Sequence, residues 1–530
     1  MLMKKFLIFA FLGSQFIVFS QSDSTEVQKD YGRFYGGFES NTQWYLNDKG
    51  RGINQPEDPI RSNNYLLLNY QIKSWSAGMQ IEGYEKNALL NYNPEFKGTN
   101  VATYFVNYKT NKLDVTAGYF YEQFGSGMLL RAWEDRALGI NTALRGGRLV
   151  YKPSDAVRLT ALYGQQRTGF DVSKGKIFGF DSDFYLTDFL KLEKSDVTMG
   201  LSYVGRHENI SDEIQNPDFD EMTHGIAGRL NYSINSFYST FEYNYKSKDA
   251  VLNRISNTLD ENLIKDGSAI ILNMGYSKQG LGIDATLRRT ENMSFLSERV
   301  PTVIGEDTSL NFNDKVLNFT PALTKQHHSN LANIYVYQAQ VGIDFKDPSI
   351  LKAGETGGQI DIFYEFAKDT KLGGKYGTKV AVNLASWYNL PGQFRLSPAA
   401  YDTDFFGLGT KYFSDYNIEV KKQLSETWRT GFHYIKQYYN KPWVEDGSSD
   451  VNTNILIGEA VYNFASNKSI RFEAEHMWAD ADFKNWAGGT VELNLNDKYS
   501  FYVWDIINYG NDDVSQRKHY YNFGGAYRIN

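Results

Sequence analysis

The stretch Lys518-His519-Tyr520-Tyr521-Asn522-Phe523-Gly524-Gly525-Ala526-Tyr527-Arg528-Ile529-Asn530 decides how the rest of the sequence is read. Its odd positions hold Tyr521, Phe523, Gly525, Tyr527 and Ile529; its even positions hold Tyr520, Asn522, Gly524, Ala526 and Arg528. Successive side chains of a strand point to opposite faces. A period of two with one apolar face and one polar or small face therefore describes a strand between two media. The length suits a tilted strand crossing a bilayer, which needs about 9–11 residues. The alternative is an edge strand of a soluble sandwich.

The other end of the sequence agrees with the membrane reading. Lys4 and Lys5 precede an apolar stretch from Phe6 to Phe19, and Ser20 supplies a small residue before Gln21. This pattern predicts a secretory leader over residues 1–20, too short to span a bilayer and followed at once by polar Gln21-Ser22-Asp23-Ser24. Residues 21–31 are expected to form a short periplasmic segment, and residues 32–530 the barrel itself. The first alternating segment starts at Gly32, which leaves no room for a plug domain or an energy-coupling segment between leader and barrel. Losing Lys4 and Lys5 makes the chain still more acidic than its formal charge of −7.

Composition narrows the class further. There is no Cys, so an exported fold of this size stands without disulfides. The chain has 38 Tyr, 35 Phe and 9 Trp but only 11 Pro. After the leader no apolar run reaches about 18 residues, so helical spans are not expected. A mean hydropathy of −0.48 fits a barrel, in which only alternate residues face lipid. The mild acidity and the lack of a basic stripe argue against a nucleic-acid partner.

Hairpins recur along the chain. Leu66, Leu68, Tyr70 and Ile72 turn at Lys73-Ser74 into Trp75, Ala77, Met79 and Ile81. Ile226, Leu230, Tyr232 and Ile234 turn at Asn235-Ser236 into Phe237, Phe241, Tyr243 and Tyr245, with Tyr238, Thr240, Glu242, Asn244 and Lys246 expected on the lumen side. Short turns alternate with longer polar connections such as Asn47–Arg61, Lys248–Asp266 and Asn440–Val451, the pattern of short periplasmic turns and long extracellular loops. The fold class is therefore all-β: a transmembrane antiparallel up-and-down β-barrel of roughly 22–24 strands. The number is even because both chain ends belong on the periplasmic side. Asn389–Ser425 is the region hardest to divide into strands.

Two connections hold more than a turn. In the first, Gln123–Gly139, Ser126 stands at an N-cap place and Gly139 at a stop, which predicts a short helix with Leu130, Trp133 and Ala137 on one face and Arg131 paired to Glu134. The second, Asn292–Asn330, carries Val303, Ile304, Val316, Leu317, Phe319 and Leu323 between Pro301 and Pro321. Barrels of about 22 strands are wide enough to need filling. Gln123–Arg148 is thus expected to fold into the lumen as a constriction, with Glu122, Arg131, Glu134, Asp135, Arg136, Arg145 and Arg148 forming a mixed-charge eyelet. The alternative is an extracellular cap on neighbouring loops.

The spacing of Asn522, Gly524, Tyr527 and Ile529 resembles the terminal signal of bacterial outer-membrane barrels. That implies a last strand docked by the barrel assembly machinery through addition to an exposed sheet edge. It departs from the pattern in ending on Ile529-Asn530 instead of an aromatic. The run Tyr119-Phe120-Tyr121-Glu122-Gln123-Phe124-Gly125-Ser126-Gly127, followed by Arg131, Glu134, Arg136, Leu138-Gly139 and Gly146-Gly147-Arg148, resembles a family of uncharacterised outer-membrane proteins from Bacteroidota. Gly275–Gly282, Arg288–Met293 and Tyr335-Val336-Tyr337-Gln338 are similar to the same family. The resemblance runs from about Gly32 to the C-terminus and implies a leader and one barrel, with no activity attached.

Residues for chemistry are sparse. Of seven His, only His327-His328 are adjacent, and no carboxylate stands within a few residues of them. Asp181-Ser182-Asp183 and Asn511-Asp512-Asp513 read as solvated turns before loose cation sites. Gly125-Ser126-Gly127 lacks the Lys of a phosphate loop. No enzyme, metal or cofactor is expected. The function expected is a porin-like channel in the outer membrane for passive diffusion of a small polar solute. The alternative is a non-conducting barrel serving as scaffold or accessory subunit to an envelope protein partner.

Overall fold

Alternation along so many segments dictates strands with two unlike faces, and a computed structural model of the chain consists of little else. It describes residues 31–529 apart from Asn91, 93–95, 210–219, 254–257, 300–314, Pro348, 397–398 and Asp446. The expected leader, most of the expected periplasmic segment, and Pro301, Val303 and Ile304 of the second insert lie outside the described residues.

The strands form one 23-stranded sheet; setting aside the two-residue Asp171–Val172 pair, which meets a single neighbour, leaves 22 long strands. In chain order they begin with β1 (Arg33–Trp44), β2 (Ile60–Ile72), β3 (Trp75–Tyr84), β4 (Gly98–Lys109), β5 (Leu113–Phe120), β6 (Leu144–Ser154) and β7 (Val157–Thr168). Next come β8 (Lys176–Tyr185), β9 (Ser195–His207), β10 (Met222–Ile234), β11 (Phe237–Asn253), β12 (Thr258–Lys278), β13 (Leu281–Glu291), β14 (Gly354–Phe366) and β15 (Thr378–Tyr388). The last are β16 (Lys411–Gln423), β17 (Trp428–Tyr439), β18 (Val451–Ala465), β19 (Lys468–Ala479), β20 (Trp486–Asn494), β21 (Tyr499–Ile507) and β22 (His519–Tyr527). From β2 to β21 each pairs antiparallel with the strand before and the strand after it, with β1 paired to β2 and β22 to β21, the up-and-down order of a barrel. Between Tyr388 and Lys411, the stretch hardest to divide, a small hairpin (Gly392–Leu396 with Ala399–Thr403) stands apart from the sheet.

The tight turns carry residues that accept left-handed backbone. Asn235 has φ 49° and Gly280 φ 78°, as two-residue hairpins require. The long polar connection expected at Lys248–Asp266 is different: β11 and β12 continue as a paired ribbon up to Asn253 and Thr258, through register shifts after Lys246 and Ala250. Polar composition there belongs to paired strands, not to a loop.

Side-chain parity follows the alternation. On β11, Phe237, Phe241, Tyr243 and Tyr245 point outward, with Phe241 44% exposed, whereas Glu242 is 2% exposed and Asn244 and Lys246 are likewise buried inside. Outward Leu201, Ile226, Leu230, Leu287, Phe432 and Phe472 extend this apolar exterior. So large an exposed apolar surface is that of a protein solvated by lipid. Among the described residues no helix is long and apolar enough to cross a membrane; strands make the crossing.

The sheet's two ends meet at one rim. Arg51, in the loop between β1 and β2, lies 5.7 Å from the Tyr520 ring of β22. Among the described residues no ladder joins β1 to β22. Both strands are correspondingly open: every residue of β1 is exposed, and so are Tyr521 and Phe523.

Inside the barrel sit two apolar clusters. The first joins Phe124, Met128, Leu129 and Leu130 of the first insert to Met293, Phe295 and Leu317 of the second and to wall residues Val204, Ala227 and Ile271. The other packs Leu331, Ala332, Tyr335 and Tyr337 against Trp387, Phe413, Ile435, Ile455 and Met477. Both inserts therefore fold into the lumen.

Candidate functional site

The candidate site is the lumen, built from the inward face of the wall and the two inserts that cross it. Inward positions are two residues apart on each strand, so charges at neighbouring registers come side by side. Arg229 of β10 reaches Asp181 at 2.9 Å and Asp183 of β8 at 2.5 Å, while Arg158 of β7 lies 3.5 Å from Asp183. Asp181 and Asp183, read from sequence as a solvated turn, are instead on one inward face of a strand; the Ser182 between them points the other way along it. Further round, Glu419 of β16 is held by Lys325 at 2.9 Å and lies 3.5 Å from His433. Arg471 gathers Glu459, Glu473 and Glu492. The wall is thus lined with opposite charges set side by side, with carboxylates in excess around Arg471.

The first insert does not form the expected helix. Gly125 and Gly127 take φ 52° and 91°, and the backbone turns back on itself: Phe124 N–H donates to Leu130 O at 3.1 Å and Ala132 N–H to Glu122 O at 2.9 Å. Met128, Leu129 and Leu130 are all about 1% exposed. Three successive buried side chains need partners on every side, which a helix with one apolar stripe does not offer. The partners come from the second insert, where Leu317 O accepts from Arg131 N–H at 2.8 Å and Phe319 N–H donates to Gly127 O at 3.0 Å. Across the lumen, Glu242 of β11 accepts from Ser126 N–H at 2.9 Å and from its hydroxyl at 2.8 Å.

The proposed eyelet residues are distributed as follows. Glu122 bonds Arg148 of β6 at 2.5 Å, and Arg148 also lies 3.5 Å from Asp114. Glu134 accepts from Gln80 at 2.9 Å and Arg136 at 3.2 Å, and Arg136 reaches Glu39 of β1 at 2.6 Å. Arg131 does not pair with Glu134; its guanidinium lies 4.6 Å from the Trp133 ring and 4.1 Å from that of Phe319. Asp135 holds the turn, accepting from the N–H groups of Ala137 and Leu138. Arg145 departs from the expectation. It shares the parity of Leu149 and Tyr151 and so lies on the outward face, opposite Tyr119 in register.

The second insert continues as a thread through the other half. Its Pro321 O accepts from Arg288 at 2.7 Å and its Leu323 O from the Trp387 indole at 3.2 Å. His327 Nε2 meets Asp415 Oδ2 at 2.8 Å, Leu331 N–H donates to Glu475 at 3.2 Å, and Ala332 O accepts from Gln437 at 3.2 Å. The carboxylate partner of His327 is 88 residues away in sequence, which is why local spacing missed it. Among the described residues no group of three His, Cys, Asp or Glu is placed to hold a metal. On the last strand, a side chain at Gly524 would come within 2.6 Å of the Tyr502 ring, so the small residue there makes room for its neighbour.

The profile of DUF6029, a family of unknown function, matches residues 2–530. The chain belongs to that family. No curated protein matches it. Among solved structures, this DUF6029 chain is similar to the siderophore receptor PirA from Pseudomonas aeruginosa, at 11% identity and TM-score 0.41, over 94% of this chain and 81% of that one. It is also similar to OccK3 (OpdO) from Pseudomonas aeruginosa, at 10% identity and TM-score 0.34, over 86% and 92% of the two chains. A BenF-like porin from Pseudomonas fluorescens Pf-5 stands at 11% identity and TM-score 0.34, over 87% and 96%.

Proposed function

We propose that this DUF6029 chain is an outer-membrane, porin-like channel for passive diffusion of small polar solutes, narrowed by its own inward inserts. The observation that carries the reading is the contrast between an apolar exterior and a lumen lined by paired charges. Such a lining favours polar solutes over apolar ones and sets a transverse field that sorts them by charge. The partners implied are outer-membrane lipid, the solute, and the assembly machinery that would dock β22 through Asn522, Gly524, Tyr527 and Ile529. Glu122, Arg148 and Asp114, at the foot of the first insert, are the charges proposed to line the narrowest passage.

The anchoring of the thread favours a second reading. With Lys325, His327 and Leu331 all tied to the wall, the barrel would be occluded and serve as a scaffold for an envelope protein. Planar-bilayer recording separates the two: steady ohmic steps support a channel, and silence supports the scaffold. Deleting Phe124–Gly139 should raise single-channel conductance. An unchanged value in a folded deletion variant would remove the first insert as the constriction.

A further inference from the structure

Beside the first insert, residues of β2 to β6 with Tyr121 and Glu134 line a half-open cavity of about 400 Å³, at the lower end of the range for small-molecule sites. Its charged residues already have partners: Arg148 lies between Glu122 and Asp114, which also face Arg158 at 3.9 Å and Lys109 at 4.0 Å, and Glu134 meets Gln80 and Arg136. The side chains of Asn69, Ser76 and Thr103 line the same cavity, are only half-buried, and have no side-chain hydrogen bond to another described residue. The groups open to a ligand are therefore neutral donors and acceptors.

An aromatic ring stands among them. Gly78 pairs across the ladder with Phe105 and with Asn69. A side chain at Gly78 would meet the Phe105 ring at 2.6 Å and the Asn69 amide oxygen at 2.4 Å. The absence of a side chain there lets the ring and the amide lie close together over bare backbone. Amides and hydroxyls beside an aromatic face, with the neighbouring charges already paired, match a ligand rich in hydroxyls and carrying no charge. An ion would have to displace partners that the wall charges already hold.

We infer that this cavity is a binding subsite for a neutral saccharide, with Phe105 stacking on the sugar ring and Asn69, Ser76 and Thr103 bonding its hydroxyls. The inference deepens the channel reading and rests on it only for the route by which the sugar arrives.

The test is calorimetric titration of the purified, detergent-solubilised full chain with maltose, and with glucuronate and glucosamine as charged comparisons. Saturable maltose binding is expected, with both charged sugars at least about tenfold weaker. Phe105→Ala and Asn69→Leu should each weaken maltose binding about tenfold, in variants that keep the heat-dependent gel shift of a folded barrel. Thr103→Val, a smaller change, serves as the conservative partner and should weaken it less. No maltose binding by the folded wild type, or equal binding of the charged sugars, overturns the subsite. Conductance is recorded separately: a silent barrel that still binds maltose refutes the channel and keeps the subsite, and a conducting barrel that does not bind refutes the subsite alone.

Discussion

Arg288 and Glu355 show what a single inward pair does for this barrel. Both side chains are fully buried, on adjacent strands β13 and β14, and they are directly bonded. Glu355 also takes the Tyr337 hydroxyl and the Gln340 N–H at 2.7 Å, while the Arg288 guanidinium lies 4.7 Å from the Trp387 ring. The pair thus joins wall to thread as well as strand to strand. Removing one partner leaves a buried charge without compensation, a loss of about 3–5 kcal/mol. Arg288→Ala should lower unfolding stability by that order, read from the denaturant midpoint of the gel shift. Replacing both residues by apolar ones, Arg288→Met with Glu355→Leu, should cost less than the single change, because no lone charge remains.

At the scale of elements, the loops at the outer rim are clasped by an ion pair outside the membrane. Lys86, just after β3, meets Asp58, just before β2, at 2.6 Å. The hydrogen bond from Lys86 holds the Asp58 carboxyl below its ordinary value of 3.8. A depressed carboxyl stabilises its contact above the unfolded value, and that contribution is lost as pH falls through the lower folded value. Proteolysis of these loops should therefore stay slow from neutral pH down to about 4 and quicken only below that. Asp58→Asn should remove this acid dependence; acid lability that persists in the variant would place the clasp elsewhere. Strands such as β2, β3, β10 and β11 were legible in the sequence because lipid outside and polar lumen inside impose a strict period of two. The first insert was not, since Met128, Leu129 and Leu130 are buried by residues near Leu317 that no local pattern connects to them. Asp181 and Asp183 were misread for a related cause: a strand with charged inward positions looks, locally, like a turn. Arg145 was grouped with the eyelet by nearness in sequence, although its parity sets it on the other face.

For the whole molecule, the decisive structure is the thread that crosses the lumen, and the issue is what holds it there. Two kinds of contact compete. Asp415 and Glu475 grip His327 and Leu331 by hydrogen bonds, while Tyr337 stacks on Phe413 with ring centres 5.1 Å apart and on Trp387 at 6.3 Å. The strand ladders are backbone bonds and do not depend on either set, so the wall can survive their loss. If the polar grip dominates, the double change Asp415→Ala with Glu475→Ala should free the middle of the thread and raise conductance above wild type in bilayers, with the gel shift of the folded barrel retained. Combined with deletion of Phe124–Gly139, it should raise conductance further, because the first cluster then loses one insert as the second loses its anchors. If conductance stays at the wild-type level in the folded double variant, the aromatic stack around Tyr337 is what closes that half of the lumen. Tyr337→Ala then becomes the change that opens it.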